Sequence, residues 1–187
     1  SRAKRSGLPV SLILLDIDHF KQVNDVHGHL TGDAVLKEFV DRIRQRIRDS
    51  DLLFRWGGDE FVVLATSVGY RGGAALAKGL CQIITSTPFA SVGSITVSLG
   101  VTEYMKGESA EKWFRRTDHA LYAAKDAGRN RMHIDRRGSS DLDTGRSGKS
   151  GRRPCWRDTY ECGDPAVAAE YRKARDLGDA LIAAAVK

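Results

Sequence analysis

The chain has 187 residues, 41% of them hydrophobic and 29% charged. That composition suits one globular domain with room for an appendage, and it excludes a wholly disordered or collagen-like chain. With no run of about 18 apolar residues it also excludes a membrane-spanning helix. The net charge of +6 is shared evenly between residues 1–135 and 136–187, in scattered positions without interleaved aromatics. Such a distribution fits an anionic small ligand better than a nucleic acid. The first ten residues, SRAKRSGLPV, lack the apolar stretch of a signal peptide, and three cysteines (Cys81, Cys155, Cys162) are too few for a disulfide scaffold. A cytoplasmic protein with reduced thiols is expected.

Taken in order, Val10–Ile17 is a continuous apolar run that predicts a buried strand ending in the acids Asp16 and Asp18. Phe20–Val26 reads as a short helix closed by the turn His27–Gly28–His29. Val35, Leu36, Phe39, Val40, Ile43 and Ile47 then recur at helical spacing and predict an amphipathic helix from about Thr31 to Arg48. Leu52–Trp56 and Phe61–Ala65 flank Gly57–Gly58 and predict a hairpin. Ala74–Ile84 reads as a helix with Pro88 beyond it, and Ile95–Val101 as a strand. Ala110–Ala127 is a second long helix with Gly128 at its C-cap, and Met132–Asp135 a short last strand. The sum predicts an α+β domain with a central, mostly antiparallel sheet covered by helices. After Asp135 the Gly/Ser/Arg-rich stretch predicts a flexible linker over 136–163, and Asp164–Pro165 opens a predicted C-terminal helix over 164–187. Cys155 and Cys162 lack the companions a zinc site needs.

The chemistry concentrates in two acidic clusters, Asp16/Asp18 and Asp59/Glu60. If the hairpin lies beside the first strand, the carboxylates converge at one end of the sheet and suit a hard divalent cation with open positions for phosphate. Gly57 and Gly58 would let the backbone approach a nucleotide. On spacing alone, surface acids on a solvated turn fit as well. Asn24 and Asp33 carry the amide and carboxylate that can read the Watson–Crick edge of guanine, although helix capping accounts equally for residues of these types. Lys21 is a candidate phosphate contact. Lys125 and Arg129, four residues apart, suit a triphosphate, or simply favour a helix C-terminus.

The segment Arg55–Trp56–Gly57–Gly58–Asp59–Glu60–Phe61 resembles the signature of the GGDEF family, the diguanylate cyclases. The likeness continues in order through Asp16-Ile17-Asp18-His19-Phe20-Lys21, Asn24-Asp25, Gly28-His29, Gly32-Asp33, Ser98-Leu99-Gly100, and Asp118 to Tyr122-Ala123-Ala124-Lys125 and Gly128-Arg129-Asn130. It covers about Leu8–Asp135. The resemblance implies a palm-like βααββαβ fold and condensation of two GTP into cyclic di-GMP with release of pyrophosphate. It implies Mg²⁺ or Mn²⁺ on the Asp16 side chain, the Ile17 carbonyl and Asp59, with Asp59 as general base and Glu60 as a neighbouring carboxylate. Asn24 and Asp33 would recognise guanine, His29 would line the site, and Lys21, Lys125 and Arg129 would hold phosphates.

The resemblance also implies a homodimer, each protomer presenting one GTP to the other. Arg48-Asp49-Ser50-Asp51 reads RxxD at the place where the family binds cyclic di-GMP as an inhibitor, which assigns Arg48 and Asp51 to that role. The family's opening D-x-L-T-G-L-x-N-R-R segment has no counterpart here, so a domain shortened at its N-terminus is expected, with the sensory domain lying upstream of this chain. A GGDEF domain that binds GTP or cyclic di-GMP without turnover and signals through a partner is the alternative of a different class.

Overall fold

The computed structural model describes residues 8–136. The first strand, β1 (Ser11–Ile17), is buried along its whole length, as its unbroken apolar run requires. It lies at the centre of a five-stranded sheet in the order β2-β3-β1-β4-β5, where β2 is Leu52–Arg55, β3 Glu60–Ala65, β4 Val97–Glu103 and β5 Met132–Asp135. Every pairing is antiparallel except β4 with β5. Four helices complete the domain: α1 (Phe20–His27), α2 (His29–Arg44), α3 (Tyr70–Thr85) and α4 (Ala110–Asp126). The α+β class and the βααββαβ order expected from sequence are borne out, with β5 as an added parallel edge. The linker predicted over 136–163, the helix predicted over 164–187, and with them Cys155 and Cys162, lie outside the described residues, Arg136 excepted.

The two-residue period of β1 divides the molecule. Ile13, Leu15 and Ile17 join Phe61, Val63, Leu99 and Val101 on the face covered by α1, α2 and α3, against Phe20, Phe39, Ile43, Leu80 and Ile84. Leu12 and Leu14 point the other way with Val62 and Leu64, against Trp113 and Leu121 of α4. Asp16 continues this second series at the end of the strand. Among the described residues, no helix is long and apolar enough to cross a membrane.

Several boundaries differ from the sequence reading, three of them instructively. Helix α2 stops at Arg44, where the Arg46 amide bonds to the Ile43 carbonyl three residues back and tightens the chain into a closing turn. Ile47 still packs on the core, so the apolar period outlasts the helix. Helix α3 begins at Tyr70, ahead of the expected Ala74, and takes Gly72 and Gly73 into its first turns. Strand β4 starts at Val97 rather than Ile95, although Ile95 is buried.

Helix α4 sits unusually close to β4 at Gly100. A Cβ there would come within 2.3 Å of the Leu121 nitrogen and the Thr117 oxygen, both backbone atoms of α4. Gly100→Ala is therefore expected to destabilise the domain by about 3 kcal/mol or more. Chemical denaturation of the purified variant would show it; unchanged stability would mean that α4 is free to retreat.

Candidate active site

The turn between β2 and β3 is held from three sides. The Trp56 and Gly57 amides donate to the Glu60 carbonyl at 2.8 and 3.4 Å, and the Ile17 amide of β1 donates to the Asp59 carbonyl at 3.2 Å. The Arg55 guanidinium donates to the Gly57 and Gly58 carbonyls, its shortest contact 2.7 Å from Gly58. Trp56 lies on Phe114 of α4, ring centres 4.5 Å apart. Neither Gly57 nor Gly58 has a positive φ, so the loop is not the two-residue hairpin turn that the glycines suggest. A Cβ at Gly58 would meet nothing within 4 Å. The fold itself makes no demand for glycine there; the space beside the turn is open to an occupant.

This anchoring sets the acids. Asp16 and Glu60 are direct partners in the β1–β3 register. Burial raises the Asp16 pKa, the Lys125 ammonium opposes the rise, and Asp59 and Asp18 add to it. Glu60 is pushed up to about 7, first by burial and then by Asp16, with Asp59 and Asp118 adding to the effect and Lys125 opposing it. Burial also raises Asp118 on α4, against His119 and Lys125. Lys125 Nζ stands 2.6 Å from Asp16 Oδ2. Four carboxylates thus share one region, and a lysine is drawn onto the innermost of them.

Hard, repelling oxygen donors beside open space fit a divalent cation. Among the described residues no three such side chains are already gathered into a metal-binding cluster. The Lys125 ammonium occupies a flank of Asp16 that a cation would share.

Asp18, grouped with Asp16 in the sequence reading, lies near enough to add to the Asp16 shift, but its carboxylate is engaged elsewhere. Its carboxylate is 6% exposed. It accepts from Thr96 Oγ1 at 2.6 Å, Ser98 Oγ at 2.7 Å and the Asn130 amide at 3.0 Å.

The other residues named from sequence divide into three groups. Asn24 lies half-buried on α1, with its Oδ1 1.9 Å from where a Cβ of Gly32 would be, so it rests directly on the start of α2. Asp33 is exposed and is the fifth residue of α2, whose N-cap is Gly28; a capping role is excluded. It lines a groove of about 530 Å³ with Leu36, Lys37, Arg44, Leu53 and Phe61. Asn24 and Asp33 flank Gly32, while Lys21 and His29 are exposed on α1 and at the first residue of α2.

Lys125 and Arg129 do not share a helical turn, because α4 ends at Asp126. The Gly128 amide bonds to the Lys125 carbonyl and the Arg129 amide to that of Ala124, the double closure of a Schellman motif. Gly128 has φ +110° and Arg129 φ +60°.

Arg48 and Asp51 form a separate place. The Asp51 carboxylate is buried and accepts the Arg48 amide at 3.0 Å and the Thr66 amide at 3.2 Å, which braces the turn into β2. Arg48 is exposed. This turn and the Gly57–Gly58 turn stand at opposite ends of the four-residue β2, about 13 Å apart at 3.3 Å per residue.

Sequence reasoning missed Asp118 and the clamping role of Asp18. The helical spacing of Asp118 and Lys125, two turns apart on α4, is the signal that could have placed Asp118 near the acids.

Residues 1–131 match the family model described as "Diguanylate cyclase, GGDEF domain". The chain is 44% identical over 137 residues to the diguanylate cyclase DgcP of Pseudomonas aeruginosa, a match covering 72% of this chain and 20% of that protein. It is 41% identical over 133 residues to the diguanylate cyclase VdcA of Vibrio cholerae, covering 68% and 39%. Among solved structures, the active GGEEF domain of a diguanylate cyclase from Vibrio cholerae has a TM-score of 0.67 at 36% identity, covering 73% of this chain and 88% of that one. The GGDEF domain of DgcB from Caulobacter crescentus, solved in complex with c-di-GMP, has a TM-score of 0.66 at 34% identity, covering 71% and 81%. The chain thus spans well under half the length of these curated relatives.

Proposed function

The chain belongs to the GGDEF diguanylate cyclase family, and from that premise we propose that it condenses two GTP into cyclic di-GMP, releasing two pyrophosphates. One observation carries the reading. Asp16 and Glu60 oppose each other beside the anchored Gly57–Gly58–Asp59 turn, next to open space and within reach of Lys125.

In this reading Asn24 and Asp33 take the guanine, the carboxylate accepting from the ring N–H and exocyclic amine. Lys21, Lys125 and Arg129 hold the phosphates, and His29 lines the site. Asp16, the Ile17 carbonyl and Asp59 would hold Mg²⁺ or Mn²⁺, which supplies charge neutralisation and acidifies the attacking hydroxyl when bound. Asp59 accepts the proton of the 3′-hydroxyl. That oxygen bonds to the α-phosphorus of the facing nucleotide, and the bond to pyrophosphate breaks. Glu60 adds a second carboxylate behind Asp59. Most of the rate comes from holding the two groups in line and from charge at the phosphates.

Each domain presents one GTP, so the reaction needs two copies face to face, and each 3′-oxygen attacks the other copy's nucleotide. Arg48 and Asp51 bind the product as an inhibitor, Arg48 as a fork onto phosphate or a guanine edge. The separation of this turn from the acids by the length of β2 suits an inhibitory site that leaves the catalytic residues free.

Incubating the 187-residue chain with GTP and Mg²⁺, and reading cyclic di-GMP by mass, tests the reading. Product is expected, and Asp59→Asn should lower its rate by about 10² or more without loss of fold. Binding of GTP with no product would favour the receptor alternative; a full rate in Asp59→Asn would remove that residue from the mechanism. In the same assay Arg48→Ala should keep its initial rate and no longer slow as product accumulates. An unchanged progress curve would overturn the inhibitory assignment.

A further inference from the structure

Asp18 sits at the end of β1 with a buried carboxylate that the proposed chemistry does not use. Its bonds come from two further parts of the chain. Thr96 and Ser98 lie at the start of β4, and Asn130 lies beyond α4, 112 positions along the sequence. The Asp18 amide adds a fourth link, to the Thr96 carbonyl at 3.0 Å. A buried carboxylate is costly unless its hydrogen bonds are made, and here each oxygen has at least one donor.

What this clamp holds is an unfavourable piece of backbone. Arg129 and Asn130 both have positive φ, +60° and +48°. Asn tolerates that region; Arg gains nothing from it, and a strained pair persists only when its surroundings fix it. The Schellman closure of α4 fixes the Arg129 amide, and Asp18 fixes the next one. Immediately afterwards the Arg131 carbonyl accepts the Leu99 amide, returning the chain to the sheet. The direction in which the exposed Arg129 side chain leaves the backbone is therefore set by Asp18 on one side and by α4 on the other.

We infer that Asp18 is a positioning residue for phosphate binding, whose buried carboxylate locks the left-handed Arg129–Asn130 segment and so aims Arg129 at the substrate phosphates. This rests on the proposed assignment of Arg129 to phosphate. The role is geometric, which separates it from that of Asp16: an asparagine at position 18 can still accept from Thr96 and the Asn130 amide through its carbonyl and donate to Ser98 through its amide.

The experiment uses the 187-residue chain in Mg²⁺ buffer, with tripolyphosphate and guanosine as separate probes titrated by calorimetry. Hydrogen exchange at the Asn130 amide reads the clamp directly. Asp18→Ala is expected to speed that exchange and to weaken tripolyphosphate about 10-fold, the loss of one charge-assisted contact, with guanosine unchanged. Arg129→Ala should lose the same factor, the double variant no more than either, and Asp18→Asn should restore binding.

If Arg129→Ala weakens tripolyphosphate and Asp18→Ala does not, the inference fails and the phosphate reading stands. If Arg129→Ala has no effect, the phosphate reading of that residue fails and Asp18 loses its role in binding, whatever the exchange shows. If Asp18→Asn binds as poorly as Asp18→Ala, the residue acts through its charge and the positioning role is overturned. Should Asp18→Ala fail to fold, Thr96→Val removes one bond to the carboxylate and should give the same pattern in smaller measure; normal binding and exchange there would overturn the inference.

Discussion

Two carboxylates face each other across a buried pair of antiparallel strands. Asp16 and Glu60 are register partners at the end of β1 and β3, where like charges directly opposite are destabilising and burial makes both harder to ionise. A fold chosen for stability alone would place a hydroxyl or an apolar side chain in one of these positions. The neighbourhood is organised around the conflict. The Asp59 carbonyl is tied to β1, Arg55 clips the turn, and α4 brings Lys125 onto Asp16. Perturbed acids gathered at one end of a sheet make a candidate functional site, because a bound cation would relieve the repulsion that Lys125 offsets only in part.

The two-sided character of β1 lets the proposed site draw residues from both faces of the sheet. Even-numbered side chains, ending in Asp16, face α4, and odd-numbered ones, ending in Ile17, face α1 to α3. The candidate phosphate residues Lys125 and Arg129 come from the α4 side. Asn24 and Asp33 come from α1 and α2, where Gly32 lets the two helices meet. The turn at Gly57–Gly58 bridges the halves. Gly100 serves the same end by letting α4 approach the sheet closely.

Most of the fold was legible because it is written in local periods. The apolar run of β1, the stripe of α4 and the paired runs around the glycine turn each impose one kind of element. Legibility failed where a side chain's destination depends on distant partners. Asp16 and Asp18 look equivalent in sequence, yet one faces Lys125 and the other is captured by Thr96, Ser98 and Asn130. Lys125 and Arg129 have helical spacing, but Gly128 reverses the chain between them. Asp33 has the chemistry of a cap, and only the true start of α2 at His29 removes that explanation. Asp51 reads as a ligand in a four-residue motif, while its carboxylate also braces the turn that the motif occupies.

In the proposed reading a bound cation and nucleotide relieve the repulsion between Asp16 and Glu60, and Lys125 holds Asp16 until they arrive. A crystal structure of the chain with Mn²⁺ and a non-hydrolysable GTP analogue would decide this, since anomalous scattering locates the metal. The expected result is the metal on Asp16 and Asp59, with Lys125 withdrawn from Asp16 onto the phosphates. A nucleotide bound with the Lys125–Asp16 pair intact, or a metal placed away from both acids, would contradict it.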